Sequence, residues 1–267
     1  MAEMEPVAQE RPAVLFQDER RAEIVKRVLE RGRVDVSDLA QEFSVTGETI
    51  RRDLTELQRE RLVRRVHGGA VPWRGSVIVP RLEVREGHNV AEKRRIAKAA
   101  AAEVPQTGSI IIDSGSTALQ LADVLDRERD LVVVTNHVPI IRSLSTTERP
   151  EVVVLGGALR RRTMAFVDET SVETLRDMAV DVAFIGCDGM SPAHGFTTPY
   201  REEVAIKQAM IAAARRVVMM LDHSKIGNEQ LFRFADIDEV DIIYTDVGVD
   251  PSVSALLEEQ GPKVVRV

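Results

Sequence analysis

The chain has 267 residues, of which 44% are hydrophobic and 4% aromatic, with a formal net charge of −7. That length suits one large domain or two ordinary ones. The single cysteine, Cys187, excludes an intrachain disulfide and fits a reducing compartment. No apolar run reaches the roughly 18 residues of a membrane span. The opening MAEMEPVAQERP lacks the basic-then-apolar order of a signal peptide, so a cytoplasmic location is expected. The negative total argues against a nucleic-acid partner only if charge is evenly spread. Residues 44–74 instead hold seven basic side chains (Arg51, Arg52, Arg59, Arg61, Arg64, Arg65, Arg74) against four acidic ones (Glu48, Asp53, Glu56, Glu60), a local +3.

In chain order, residues 1–17 read as a polar lead-in, 18–72 as a small helical module, 73–90 as a linker and 91–267 as a larger α/β domain. In the stretch 18–31, Ile24, Val25, Val28 and Leu29 share one helical face, and Gly32 stops the helix. Val34-Asp35-Val36 is extended. Ser37 is a cap for a second helix through Phe43, and Thr46 for a third to about Gln58, with Ile50, Leu54 and Leu57 inward. Residues 62–71 read as two extended arms around a Gly-Gly turn. An Ala-rich helix over about 91–104 opens the larger domain. Short Val/Ile-rich runs follow at 109–112, 131–134, 152–155, 182–185, 217–221, 242–244 and 264–267, mostly separated by helical patterns. This alternation predicts a mostly parallel, Rossmann-like sheet covered on both faces.

Three short helices and a basic hairpin predict a winged helix-turn-helix. Tying Ile50, Leu54 and Leu57 to the core turns Glu48, Thr49, Arg51, Arg52 and Thr55 outward, where a helix in the major groove reaches base edges and phosphates. Thr46 starts that helix, and Arg64, Arg65 and His67 on the hairpin are placed along the DNA backbone. The stretch 43–54 (FSVTGETIRRDL) followed by 62–70 (LVRRVHGGA) strongly resembles the DNA-binding domain of the DeoR family of bacterial regulators. The resemblance implies a recognition helix carrying Thr49, Arg51 and Arg52. Gly47 departs from the family pattern, which more often has a better helix former there.

Ligands of open parallel sheets bind beyond the strands' carboxyl ends, near a reversal of strand order. Five consecutive predicted strands end in small, polar or charged residues: Asp113-Ser114-Gly115-Ser116-Thr117, Thr135-Asn136, Gly156-Gly157, Gly186-Cys187-Asp188-Gly189 and Asp222-His223-Ser224-Lys225. The first cluster opens a helix, where free N–H groups and the helix dipole favour an anion such as phosphate. Lys225 adds a positive charge, while Asp113 and Asp188 suit sugar hydroxyls. Taken singly, the loop is equally well explained as an ordinary capped turn, while Lys225 is better explained as a surface lysine and Asp113 and Asp188 as turn or cap residues. Cys187 reads as a filler, and no metal-ligand spacing or cofactor motif is present. The segments at 112–117, 134–136, 155–157, 186–189, 195–199 and 221–225 also look like the DeoR-family effector domain. That resemblance implies a fold similar to ribose-5-phosphate isomerase and a phosphorylated sugar as effector. At Val167-Asp168-Glu169 family members often carry Gly, which places ligand choice on that loop.

Two functions of different class fit these features. One is a DNA-binding regulator, expected to be a repressor of a carbohydrate operon. It would bind double-stranded operator DNA as a homodimer or homotetramer and be relieved by the sugar phosphate. The other is a sugar-phosphate isomerase fused to a DNA-binding module, with Glu202, Glu203 or Asp188 as base and Lys207 or Lys225 as electrophile. Glu203 and Lys207, four apart on a helix, also fit a simple surface ion pair. The fused DNA-reading module favours the regulator and no catalytic role.

Overall fold

A computed structural model describes residues 17–31, 34–60, 62–66, 68–72 and 82–267, which fall into two compact units divided near residue 74. The expected lead-in, the stop at Gly32, Arg61, His67, Arg74 and the side chain of Leu29 lie outside the described parts.

The first unit runs α1 (Gln17–Arg31), β1 (Val34–Asp35), α2 (Val36–Glu42), α3 (Gly47–Arg59), β2 (Val63–Val66) and β3 (Gly69–Pro72). Ile24, Val25, Val28, Ile50, Leu54 and Leu57 are buried as helical phase predicts, with Leu39 and Phe43 beside them. Thr46 caps α3, its hydroxyl accepting from Thr49 N at 3.2 Å. Ser37 does not cap α2. The helix begins one residue before it, Asp35 holds the N-cap position, and the Ser37 hydroxyl donates to Asp38 at 3.3 Å. The hairpin pairs Val66 with Gly69, and β3 also pairs with β1. A Cβ on Gly69 would lie 1.9 Å from the Val34 carbonyl oxygen, so only glycine lets these strands close.

The second unit continues with α4 (Leu82–Glu86), α5 (Val90–Ala100), β4 (Thr107–Ile112), α6 (Ser116–Val124), β5 (Asp130–Thr135), α7 (Val138–Leu144), β6 (Glu151–Val154), β7 (Leu159–Arg160) and β8 (Ala165–Phe166). It goes on through α8 (Glu169–Arg176), β9 (Val182–Gly186), β10 (Gly189–Ser191), β11 (Gly195–Thr198), α9 (Arg201–Ala212) and β12 (Val217–Met220). It ends with β13 (Phe232–Ala235), β14 (Ile242–Thr245), α10 (Pro251–Glu258) and β15 (Lys263–Arg266). The linker expected over 73–90 is therefore too long: residues 82–86 are helical, and Leu82 is buried.

All seven expected apolar runs form one sheet, ordered β15-β14-β12-β9-β4-β5-β6, and every pairing in it is parallel. Residues alternate between its faces. Ile111 packs with Leu175 of α8, Ile206 of α9 and Leu257 of α10. Ile110 and Ile112 pack with Ile96 of α5, Leu121 of α6 and Ile140 of α7. The chain enters at β4, runs outward through β5 and β6, then returns to β9 on the other side of β4. The strand order thus reverses between β4 and β9, where the adjoining loops diverge and leave a crevice. An antiparallel sheet β10-β11-β13, absent from the sequence expectation, stands beyond the end of β9.

Candidate functional site

In the first unit, α3 exposes Glu48, Arg51 and Arg52, while Thr49 is half-buried with its hydroxyl 2.9 Å from that of Thr46. Arg51 Nη1 donates to Glu48 at 3.2 Å. Arg64 and Arg65 are exposed on β2. Arg65 is tied to α3 twice, through Nη1 to Thr55 Oγ1 at 2.8 Å and through its backbone N to Gln58 Oε1 at 2.8 Å. Hairpin and helix therefore present their basic side chains as one rigid surface. Sequence reasoning missed its foundation. Asp53, on the inward side of α3, is 1% exposed and accepts from Arg20 Nε at 2.7 Å and Arg21 Nε at 3.1 Å.

In the second unit, a cleft opens at the β4/β9 switch point. The loop and first turn of α6 (Ser114, Gly115, Ser116, Thr117) form one wall, and Gly186 at the end of β9 with Cys187 and Asp188 after it form another. Gly115 has φ +132° and lets the chain turn directly into the helix. Its first-turn N–H groups have no carbonyl partners within the helix and attract anions. Lys225, after β12, joins the lining.

The same geometry separates the other expected residues from this cleft. Thr135 ends β5 and Asn136 follows it, and Gly156 and Gly157 follow β6, one and two strands beyond the switch point. They do not line it. Thr135 Oγ1 accepts from His137 N at 3.2 Å, and Asn136 Nδ2 donates to Phe166 O at 3.0 Å. The loop expected to shape ligand choice is likewise local scaffolding. Asp168 accepts from Ala158 N at 2.6 Å and caps α8 through Ser171 N at 3.3 Å. Gly189 packs on the Asn228 carbonyl, which a Cβ there would strike.

Asp113 lies beneath the cleft floor, 0% exposed, ion-paired with Lys207 and accepting from Gly186 N at 3.1 Å. This corrects the surface-pair expectation for Glu203 and Lys207: both are 4% exposed, and Lys207 pairs with Asp113 instead. Burial pulls the Lys207 ammonium down, but Asp113 and Glu203 outweigh that and leave it above its usual value. Glu203 is pushed up to about 7, first by burial and then by Asp188. Thr198 Oγ1 lies 2.7 Å from Glu203 and 3.2 Å from Asp188. A hydroxyl has one hydrogen, so it donates to only one of these two carboxyls at a time. Glu202 instead faces outward to Arg160, at 2.8 Å. Burial pushes the Cys187 thiol up to about 12, which leaves it inert and consistent with a filler.

Arg85, Lys93 and Thr163 complete the lining and were not anticipated. Arg85 fell in the supposed linker. Lys93 carried a readable signal, because it is in helical phase with buried Ile96, Ala97 and Ala100. Among the described residues no group of side chains could hold a metal ion, and no helix is long and apolar enough to cross a membrane.

Residues 20–73 match the model of the DeoR-like helix-turn-helix domain, and residues 88–247 that of the DeoR C-terminal sensor domain. The transcriptional regulator YulB of Bacillus subtilis is 34% identical, over 93% of this chain and 96% of its own. The glycerol-3-phosphate regulon repressor of Escherichia coli is 32% identical, over 91% of this chain and 96% of its own. A ribose 5-phosphate isomerase from Methanocaldococcus jannaschii overlays on 52% of this chain and 56% of its own, with a TM-score of 0.39 and 18% identity, too distant to bear on function.

Proposed function

Since the chain belongs to the DeoR family of helix-turn-helix transcription regulators, we propose that it is a repressor of a carbohydrate operon, released from operator DNA by a phosphorylated sugar bound at the β4/β9 cleft. The observation that carries this reading is the convergence of an anion-favouring helix start with Arg85, Lys93 and Lys225 in one crevice of a DNA-binding protein. Phosphate sits on the 114–117 loop, and the sugar hydroxyls face Asp188 and Glu203. Ligand binding shifts the protein toward a form with lower operator affinity, a coupling of about 1–3 kcal/mol. Two half-sites call for a symmetric oligomer.

The reading surface is tested with Arg52→Ala. Operator affinity falls, and the slope of log affinity against log salt becomes shallower by about 1 if Arg52 meets a phosphate. Unchanged affinity would place the reading face elsewhere. For the cleft, wild-type protein is screened with aldose and ketose monophosphates by thermal shift and by operator release. Ser116→Ala and Lys225→Ala are expected to bind operator normally but to need at least ~10-fold more effector for release, each having lost about 1.4 kcal/mol of anion contact. Normal induction in both would move the site.

One observation favours the isomerase as a second reading: Glu203 and Lys207 line the same cleft, where burial and Asp188 push the Glu203 carboxyl up to about 7, the range suited to proton exchange. Turnover of any sugar phosphate in the screen would establish it. Binding without turnover would leave the regulator alone.

A further inference from the structure

The strand-end loops explain one side of the cleft, but its opposite side comes from the stretch Leu82–Lys93, the first described part of the sensor after the chain leaves the DNA-binding unit. Arg85 Nη1 reaches Asp188 at 3.3 Å, a single loose bond, while Arg85 Nε is buried without a partner. A guanidinium is a planar fork that binds paired oxygens best, so this fork is half used. Lys93 is 4% exposed, and its Nζ donates to the carbonyls of Arg85 and His88, each at 2.6 Å. An ammonium has a third N–H, and this one belongs to a side chain of the cleft lining. Thr163 Oγ1 and Glu203 Oε1, on residues 3% and 4% exposed, are further buried cleft atoms without partners. Buried polar atoms left unsatisfied mark a missing partner.

The bonds that would hold a ligand also hold this stretch in shape. Lys93 folds the turn at 85–88 around its ammonium. Asn89, left-handed at φ +50°, donates to Asp222 at 2.8 Å. Leu82 is 3% exposed and donates its N–H to the Arg162 carbonyl at 3.2 Å. An anion that draws Arg85 from Asp188 and engages the third N–H of Lys93 must therefore alter the whole stretch.

We propose that Leu82–Lys93 is an effector-operated clasp: an anionic oxygen pair completes the Arg85 fork and engages Lys93, and the clasp carries occupancy of the cleft into the chain leading to the DNA-binding unit. The proposal rests on the cleft being the effector site.

The test uses the full chain. Hydrogen exchange is followed with inorganic phosphate at ~50 mM, near the weak end of ligand affinities, and with any sugar phosphate that shifts the melting temperature. Exchange in peptides covering 82–93 is expected to slow. Leu82→Ser loosens the anchor while leaving the cleft's charged groups in place. It is expected to keep effector affinity within about threefold of wild type but to raise the concentration for half-release of operator at least ~10-fold. Arg85→Lys keeps the charge but loses the fork, and is expected to weaken effector binding itself by about 10-fold. Slowed exchange on effector binding confined to other loops, or Leu82→Ser releasing operator at the wild-type concentration, would overturn the clasp and leave the effector site standing. A wild-type protein that neither phosphate nor any sugar phosphate affects would overturn both.

Discussion

Replacing Asp53 with alanine is expected to cost the DNA-binding unit about 3 kcal/mol, near the lower bound for breaking a buried charge cluster. Asp53 is 1% exposed, whereas the Arg20 and Arg21 side chains are 10% and 19% exposed. Deleting the carboxylate leaves two neighbouring guanidinium groups without their shared counter-charge. Arg21 can turn toward water, which keeps the loss from being larger. Asp53 also sits on α3 between Arg52 and Leu54, so its bonds to α1 fix the roll of the helix about its own axis. Operator affinity should therefore fall even at temperatures where the variant is folded, and further than in Arg52→Ala. Asp53→Asn, which keeps an acceptor but not the charge, should fall between the two. Thermal unfolding followed by circular dichroism, with operator titrations below the transition, separates the two effects. An Asp53→Ala protein that melts and binds operator as wild type does would mean that hydrophobic contacts alone set the position of α3.

Where periodicity has one cause, the elements were readable. Ile50, Leu54 and Leu57 placed α3, and the seven apolar runs placed the seven parallel strands, because a strand buried on both faces has little room for polar residues. The small sheet β10-β11-β13 was not readable. Its strands are three or four residues long, and one of them pairs with a segment more than 30 residues away, so no local pattern marks it. The place of the 114–117 loop at the cleft was legible because Asp113–Thr117 combines a strand end, a glycine and a helix start. Thr135, Asn136, Gly156 and Gly157 looked equivalent, since the sequence shows that a strand ends but not where that strand lies in the sheet. Lys93, Glu203 and Lys207 were legible in principle. Each is in helical phase with buried apolar residues, Glu203 and Lys207 with Ile206 and Met210, and a charge in phase with the core rarely sits at the surface. The i,i+4 spacing of Glu203 and Lys207 suggested a mutual pair, but both have better partners across the cleft.

Lys207→Met is expected to give the largest loss in the sensor unit, about 3–5 kcal/mol. The Lys207 ammonium pairs with Asp113, donates to the Gly186 carbonyl at 2.8 Å and lies 5.2 Å from the centre of the Phe234 ring. Without it, Asp113 keeps only weak donors, the Gly186 N–H at 3.1 Å and the Ser114 hydroxyl at 3.5 Å, for a carboxylate with no exposure to water. Adding Asp113→Asn should recover much of the loss at neutral pH, because a neutral pair carries no uncompensated charge. Thermal unfolding of the four proteins in this cycle measures the coupling. Additive losses would mean that water reaches Asp113 once Lys207 is shortened. If the double variant folds, it also separates support from recognition. Asp113 and Lys207 hold up the cleft floor, whereas Ser116, Lys225, Arg85 and Lys93 are the proposed anion contacts. The double variant should therefore still respond to effector, and the variants of the other four should not respond normally.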